Sequence, residues 1–396
     1  MRILVLAPQP FYVERGTPIA VDLLIRTLAA AGHRVEVLAF HLGDTPTYGD
    51  VTVHRIPPVP FVRAVGPGLS LRKLVCDAVF GASLVRLLAR RRFDAIHAVE
   101  ESVFLAMALA PRLGVPYVYD MDSSLPDQVL ARAPWLRPVA PLLRAAERAA
   151  VRRSAAVAAV CDDLARRAAA GGARRVVLLR DVSLLPDAPP PPPEARAALR
   201  ADLGAGAGET LVLYVGNLEP YQGIDLLVDG FAAAAARDRS LRLAVVGGEA
   251  ADVARYRRRV EAAGLAARAR VVGPRPVARL REHLDAADVL VSPRVGGTNT
   301  PMKLYSYLHA GRPVVATDLP THTQVLTREA ARLVRPEPAA LAAALLELAA
   351  DPALRARLGA AGRALVERRH GRPVFVQQVT ALYDGLAGGP AREAAA

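Results

Sequence analysis

Short runs of β-branched and aliphatic residues, each followed by a stretch of helical period, recur along this chain in two series. That alternation limits the possible folds more than any other feature, because strands joined through helices must lie parallel and be covered by those helices. The first series predicts strands at 3–7, 34–40, 51–56, 95–98, 117–120, 156–160 and 176–179, with a helix over 18–31 that Gly32 ends. The second predicts strands at 211–215, 241–246, 270–272, 289–292, 314–317 and 331–334. Between them, residues 186–193 hold six prolines and residues 204–208 are glycine-rich, which reads as a connection, stiff where the prolines lie. At 396 residues the chain exceeds one comfortable core. The expected organisation is α/β: a doubly wound, Rossmann-like domain over 1–185, a linker over 186–208, a second such domain over 209–372, and a helix with a loose tail over 373–396. Ligands of such sheets bind beyond the carboxyl ends of the strands, here in a central cleft that the two domains face.

Composition narrows the function classes. A hydrophobic content of 52% against 22% charged residues excludes general disorder. No run reaches the length of apolar residues that spans a bilayer, and the first eight residues read as a buried strand, so a cytoplasmic protein is expected. Cys76 and Cys161 offer neither a disulfide framework nor a metal cluster, and no metal or cofactor is expected. The net charge of +13 fits either a coding bias that favours arginine or an anionic partner, a phosphorylated substrate or an anionic membrane surface. Nucleic acid is set aside, since aromatics make up 5% and no nucleic-acid-binding motif is present. Of 51 Lys and Arg residues only Lys73 and Lys303 are lysine, and Asn217 and Asn299 are the only asparagines. In so arginine-biased a chain a retained lysine suggests a site where a compact ammonium is needed.

The loop after the first strand, 9–18, lacks G-x-G-x-x-G, which argues against hydride transfer. It has Gly16 before a helix start at Pro18, where a phosphate can approach free amides; a purely structural glycine fits equally. The second series carries a stronger constellation. After 211–215 comes Gly216-Asn217-Leu218-Glu219-Pro220-Tyr221-Gln222-Gly223-Ile224-Asp225, leading into a helix over 225–236. After 289–292 comes a loop rich in glycine and hydroxyls that holds Arg294, Thr298, Asn299, Thr300 and Lys303 and opens a helix near Pro301. Free amides, a helix start and two cations are the parts of a diphosphate cradle.

These segments resemble the family-4 glycosyltransferases over nearly the whole chain. The likeness lies in Gly16 with Gly32-His33-Arg34-Val35, in 214–225, in Val245-Val246-Gly247-Gly248, and most specifically in Lys303-Leu304-Tyr305-Ser306-Tyr307-Leu308-His309-Ala310-Gly311-Arg312-Pro313. The resemblance implies a GT-B fold and transfer with retention from a nucleotide-diphosphate sugar, a hexosyl donor included, without an obligatory metal. It also implies departures. The family's phosphate-gripping Arg and Lys fall on Asn217 and Gln222, and its two glutamates, eight residues apart, fall on Thr298 and Ser306. Arg294 and Lys303 restore two cations, and Ser306 keeps a hydroxyl for a ribose.

On the acceptor side, His97-Ala98-Val99-Glu100-Glu101 and Asp120-Met121-Asp122-Ser123-Ser124 end two strands. Glu100 and Asp122 are the candidate catalytic residues, suited to acceptor hydroxyls or proton transfer. Ser123 and Ser124 serve equally as helix caps. In retaining enzymes of this family the donor phosphate takes the acceptor proton, so no dedicated base is required. Residues 71–92 read as an amphipathic helix with a stripe of Leu71, Leu74, Val75, Ala78, Val79, Ala82, Val85 and Leu88, and with Arg72, Lys73, Arg86, Arg90 and Arg91 elsewhere. Core packing is expected to consume that stripe. The basic face, with arginines in 137–153, would then associate electrostatically with an anionic membrane. The leading expectation is a cytoplasmic sugar transferase with a glycan or lipid-linked acceptor, in envelope or exopolysaccharide assembly. The rivals are a non-catalytic nucleotide-sugar binding protein and a GT-B nucleotide-sugar epimerase.

Overall fold

The computed structural model describes all residues except 67–69, 187–188, 190 and 388–396. The tail expected to be loose after 385 lies almost wholly outside the described residues, as does part of the proline run. The chain divides into two units, Met1–Arg180 with Pro373–Ala396, and Asp181–Arg372.

The first unit contains β1 (Arg2–Ala7), α1 (Gly16–Ala30), β2 (Arg34–Ala39), β3 (Thr52–Arg55), α2 (Leu71–Arg90), β4 (Ala95–Val99), α3 (Ser102–Leu109), β5 (Tyr117–Met121), α4 (Leu125–Arg132), α5 (Ala140–Arg153), β6 (Ala156–Ala159), α6 (Asp162–Ala170) and β7 (Val176–Leu178). All pairings are parallel, in the order β3-β2-β1-β4-β5-β6-β7. Ile3 to Ala7 are completely buried, since helices cover both faces and the strand has no wet side to alternate with.

The second unit contains α7 (Pro193–Asp202), β8 (Thr210–Val215), α8 (Ile224–Ala235), β9 (Leu241–Val246), α9 (Ala250–Ala262), β10 (Ala269–Gly273), α10 (Leu280–Ala286), β11 (Val289–Ser292), α11 (Lys303–His309), β12 (Val314–Thr317), α12 (Pro320–Thr323), β13 (Arg332–Val334), α13 (Pro338–Ala350) and α14 (Pro352–Arg369). Its sheet is also parallel, ordered β10-β9-β8-β11-β12-β13. The last helix, α15 (Arg372–Ala387), groups with the first unit, where Tyr383 Oη meets His97 Nδ1 at 2.8 Å and Arg175 donates to Ala381 O at 3.0 Å.

Two features differ from the sequence reading. Part of the segment read as linker is the helix α7, held to the second unit by Leu199 and Leu203 in its core and by Arg200, which donates to Ala286 O and Asp288 at 2.8 Å each. Helix α2 is turned about its axis relative to expectation. Its buried face is Cys76, Phe80, Leu84 and Leu88, a spacing of four that carries the one large ring, while most of the expected core stripe faces solvent. Lys73 points inward and does not belong to a solvated basic face. No helix among the described residues is long and apolar enough to cross a membrane.

Candidate functional site

In the second unit, successive strands run outward from β8 to β10 on one side and from β11 to β13 on the other, so the order reverses between β8 and β11. Loops leaving two such strands diverge and open a crevice at the carboxyl edge. These are the loops the sequence singles out. Lys303, at the start of α11, donates from Nζ to Tyr214 Oη at 2.7 Å and to Gln222 Oε1 at 3.2 Å. The ammonium also lies 3.9 Å from the centre of the Tyr214 ring. Tyr214 passes its own proton to Asn217 O at 2.5 Å.

Two glycines make this meeting possible. A Cβ on Gly216, whose φ is 150°, would stand 2.6 Å from Lys303 Nζ. A Cβ on Gly223, at φ 74°, would stand 2.0 Å from Pro293 O, so the two loops touch backbone to backbone only without it.

Arg294 is buried beside Lys303. Its Nη1 donates to Asn299 O at 2.7 Å and to Thr321 Oγ1 at 2.8 Å, and its guanidinium lies 5.0 Å from the Tyr221 ring centre. Behind it, Thr317 Oγ1 donates to Arg294 O at 2.6 Å, and His322 links Thr317 O and Ser292 Oγ at 2.8 and 2.9 Å. Burial holds His322 down to about 3, so its imidazole is neutral and rigidly bonded. Burial also holds Lys303 well below the ordinary lysine range, with Arg294 adding to the effect, and lowers Arg294 itself. Among the described residues neither cation forms an ion pair, and Arg294 Nε and Thr300 Oγ1 are buried without a hydrogen-bond partner. Two desolvated cations, an orphaned N–H and an orphaned hydroxyl are the complement of an anion with several oxygens.

The structure thus gathers Gln222, Arg294, Asn299, Thr300, Lys303 and the Asn217 backbone. Thr298 is exposed, its carbonyl accepting from Gln324 Nε2 at 2.9 Å. Ser306 is buried, and its Oγ accepts from Leu184 N at 3.0 Å, so this hydroxyl ties residue 184 to α11. Tyr214 and Tyr221 stand inside the 214–225 motif but are not singled out there as site residues, and Thr321 and His322 escape the sequence reading, since they lie in no motif that it picks out.

In the first unit the order reverses between β1 and β4, and there too a cavity opens, of about 170 Å³. Pro8, Gln9, Lys73, Glu100, Glu101 and Gln128 are among its lining residues. Lys73 pairs with Glu101, donates to Pro8 O at 3.1 Å and lies 3.4 Å from Asp77. Glu100 accepts from Ser123 Oγ at 3.1 Å and from Gln128 Nε2 at 3.4 Å, and burial pushes its carboxyl above the usual range. Its φ of 50° is a strained conformation of the kind that persists at functional sites. Ser123 therefore serves Glu100, and Ser124 begins α4 without a side-chain cap bond. Asp122 is partly buried and does not line the cavity. Gly16 opens α1 with nothing within 4 Å of a Cβ, between Arg15 and Thr17 of the cavity wall. Lys73, one of two lysines, carried a signal in its rarity. Among the described residues no cluster of His, Cys, Asp or Glu is gathered for a metal ion.

Two doubly wound parallel units, each presenting its loops at a switch point, make up the GT-B architecture of sugar-transferring enzymes. Residues 15–180 match the family described as glycosyl transferase 4-like domain, and residues 209–351 match glycosyl transferases group 1. The chain belongs to this family-4 group of GT-B glycosyltransferases. Sucrose-phosphate synthase from Thermosynechococcus elongatus superposes with a TM-score of 0.78 at 21% identity, covering 98% of this chain and 99% of that one. Anabaena HepE, crystallised with UDP, gives 0.75 at 19% identity over 97% and 100% of the two chains. WaaG, a glycosyltransferase involved in lipopolysaccharide biosynthesis, gives 0.72 at 16% identity over 98% and 100%. No curated protein sequence matches the chain.

Proposed function

We propose that this glycosyltransferase is a retaining, metal-independent hexosyltransferase that uses a nucleotide-diphosphate sugar and a glycan or lipid-linked acceptor, in envelope or exopolysaccharide synthesis at the cytoplasmic face of a membrane. The observation that carries the reading is the pair of desolvated, carboxylate-free cations, Lys303 and Arg294, at the switch point of the second unit. A similar fold binding UDP in HepE supports a nucleotide donor, and WaaG supports an envelope glycan.

In the proposed step the bond from the sugar's anomeric carbon to the diphosphate breaks. Lys303 and Arg294 stabilise the charge that develops on the leaving oxygens, in a site already organised for it. The acceptor oxygen bonds to the same face of the carbon, and its proton goes to the departing diphosphate. Glu100 accepts the hydrogen bond of an acceptor hydroxyl in the first unit's cavity and fixes its orientation.

The test incubates the protein with radiolabelled UDP-, GDP- and ADP-sugars and a lipid extract, and reads the product's anomeric configuration by NMR. Transfer with retention supports the proposal; an inverted product overturns it. A second reading, nucleotide-sugar binding or epimerisation without transfer, draws on Thr298 and Ser306 in the glutamate positions and on the commitment of Ser306 Oγ to Leu184 N. Donor binding without transfer, or a changed sugar with no acceptor product, selects it.

A further inference from the structure

The first unit shows large apolar side chains to solvent. Phe61 is 97% exposed, Leu71 78%, Trp135 77% and Leu142 69%, with Leu74 and Val139 exposed as well. Exposed apolar residues scattered singly are ordinary, but these share one edge. Helix α2 runs to the amino end of β4, and α5, which follows α4 in the crossover from β5, runs to the amino end of β6, so the first turns of both lie toward the carboxyl edge of the sheet. Leu71 and Leu74 lie in the first turn of α2 and Leu142 in that of α5. Trp135 and Val139 lie in the 3₁₀ turn Pro134–Val139 that leads into α5, and Phe61 in the loop from β3 to α2. Both crossovers run the same way along the sheet, and right-handed connections put both helices on one face. Their buried residues, Phe80 and Leu84 with Ala150 and Val151, belong to one core cluster.

The exposed charges of the rim segments themselves are arginines, and the nearby carboxylates Asp77 and Glu101 face Lys73. Residues 61–75 and 132–144 contain no aspartate or glutamate, and Arg63, Arg72, Arg132, Arg137 and Arg144 are exposed among them. Phe61 holds a left-handed φ of 65°, strained for an aromatic residue, around a ring that packs on almost nothing. Apolar side chains interleaved with arginines, a tryptophan among them, fit the boundary between lipid headgroups and acyl chains.

We propose that this rim docks the protein on an anionic lipid bilayer. Phe61, Leu71, Trp135 and Leu142 enter the headgroup boundary, and the arginines pair with lipid phosphates. Lys73, in the same turn as Leu71 and Leu74, lines the cavity of Glu100, so a lipid-linked acceptor reaches that cavity from the surface the rim contacts. This deepens the acceptor reading above and rests on it for the acceptor alone. It replaces electrostatic contact without insertion, because the apolar stripe is not consumed by the core.

Trp135 is the chain's single tryptophan and therefore reports on the rim directly. Its emission should shift to the blue on phosphatidylcholine vesicles containing phosphatidylglycerol and be quenched by lipids spin-labelled near the headgroup. The double variant Leu71→Ser, Leu142→Ser keeps the reporter. Its partition onto the same vesicles should fall at least about tenfold, with unchanged thermal unfolding, since both side chains lose their burial in lipid. Unshifted emission on anionic vesicles overturns the proposal. So does equal binding to purely neutral vesicles, and so does a blue shift that depends on protein concentration in the absence of lipid, which would mark a self-association surface. UDP binding by calorimetry on the same samples separates the two readings, because vesicle binding requires neither donor nor transfer.

Discussion

Lys303 Nζ stands 3.9 Å from the centre of the Tyr214 ring and donates to the hydroxyl of the same residue at 2.7 Å, while its charged neighbour is a second cation, Arg294. An ammonium so placed is held by a ring quadrupole and neutral oxygens, and its charge is left for a ligand. Removing one charge-assisted contact costs about 1.5–3 kcal/mol, so Lys303→Ala and Arg294→Ala should each weaken UDP affinity about 10–100-fold in calorimetry. The sign of the pH dependence follows. Burial and Arg294 lower the lysine in the free protein, and a bound diphosphate favours the ammonium. Binding therefore takes up a proton between the two pKa values, and affinity falls as pH rises through that window. Calorimetry in buffers of different ionisation enthalpy measures the uptake; none would exclude Lys303 as the phosphate contact.

Gly216→Ala should act through Lys303. The new methyl would stand 2.6 Å from Nζ, and the lysine end is the part free to move. The ammonium leaves Tyr214 and Gln222, and UDP affinity falls about tenfold or more with secondary structure intact by circular dichroism. Wild-type affinity would mean that Lys303 need not sit where it does.

Glu100→Gln should separate stability from turnover. Burial raises the Glu100 carboxyl, so its folded pKa lies above its unfolded one and the ionised form costs stability at pH above the folded value. An amide removes that cost and still accepts from Ser123. The thermal midpoint at neutral pH should rise while kcat falls about 10–100-fold through the weaker contact to the acceptor hydroxyl. An unchanged kcat would remove Glu100 from the site.

His322 makes the second unit acid-sensitive. Its folded pKa of about 3 lies below the unfolded value near 6.5, so the unfolded chain binds the extra proton between them. Stability is full above that window and drains as pH falls through it, by an amount on the order of a few kcal/mol. Urea unfolding across this range should show the loss, and His322→Gln should flatten it.

Restoring the family glutamates one at a time should give two different failures. Ser306→Glu forces a carboxylate into a buried site and takes the acceptor from Leu184 N, so the fold should lose several degrees of thermal stability. Thr298→Glu is exposed and should fold normally, but it sets a negative charge at the rim of the cradle and should weaken UDP binding. A Thr298→Glu variant that gains transfer activity would instead favour a decayed ancestral site.

Period and composition by themselves determine the thirteen strands and their division into two series, because a parallel strand buried on both faces must be almost continuously apolar. They also single out the two loops of the second unit that meet around Lys303, since glycine, hydroxyl and cation in one loop have few structural uses together. Tertiary structure alone decided the rest. The turn of α2 about its axis is set by Phe80 finding the core, which left Leu71 and Leu74 outside and carried Lys73 inward. Ser306 Oγ accepts from the backbone of Leu184, 122 residues earlier, a partner that no local pattern announces. Lys303 and Tyr214 are 89 residues apart and meet because β8 and β11 are neighbours at the point where the strand order reverses. A periodic pattern reports which side of an element is apolar; the partner it meets depends on the order of strands in the sheet, which no local pattern contains.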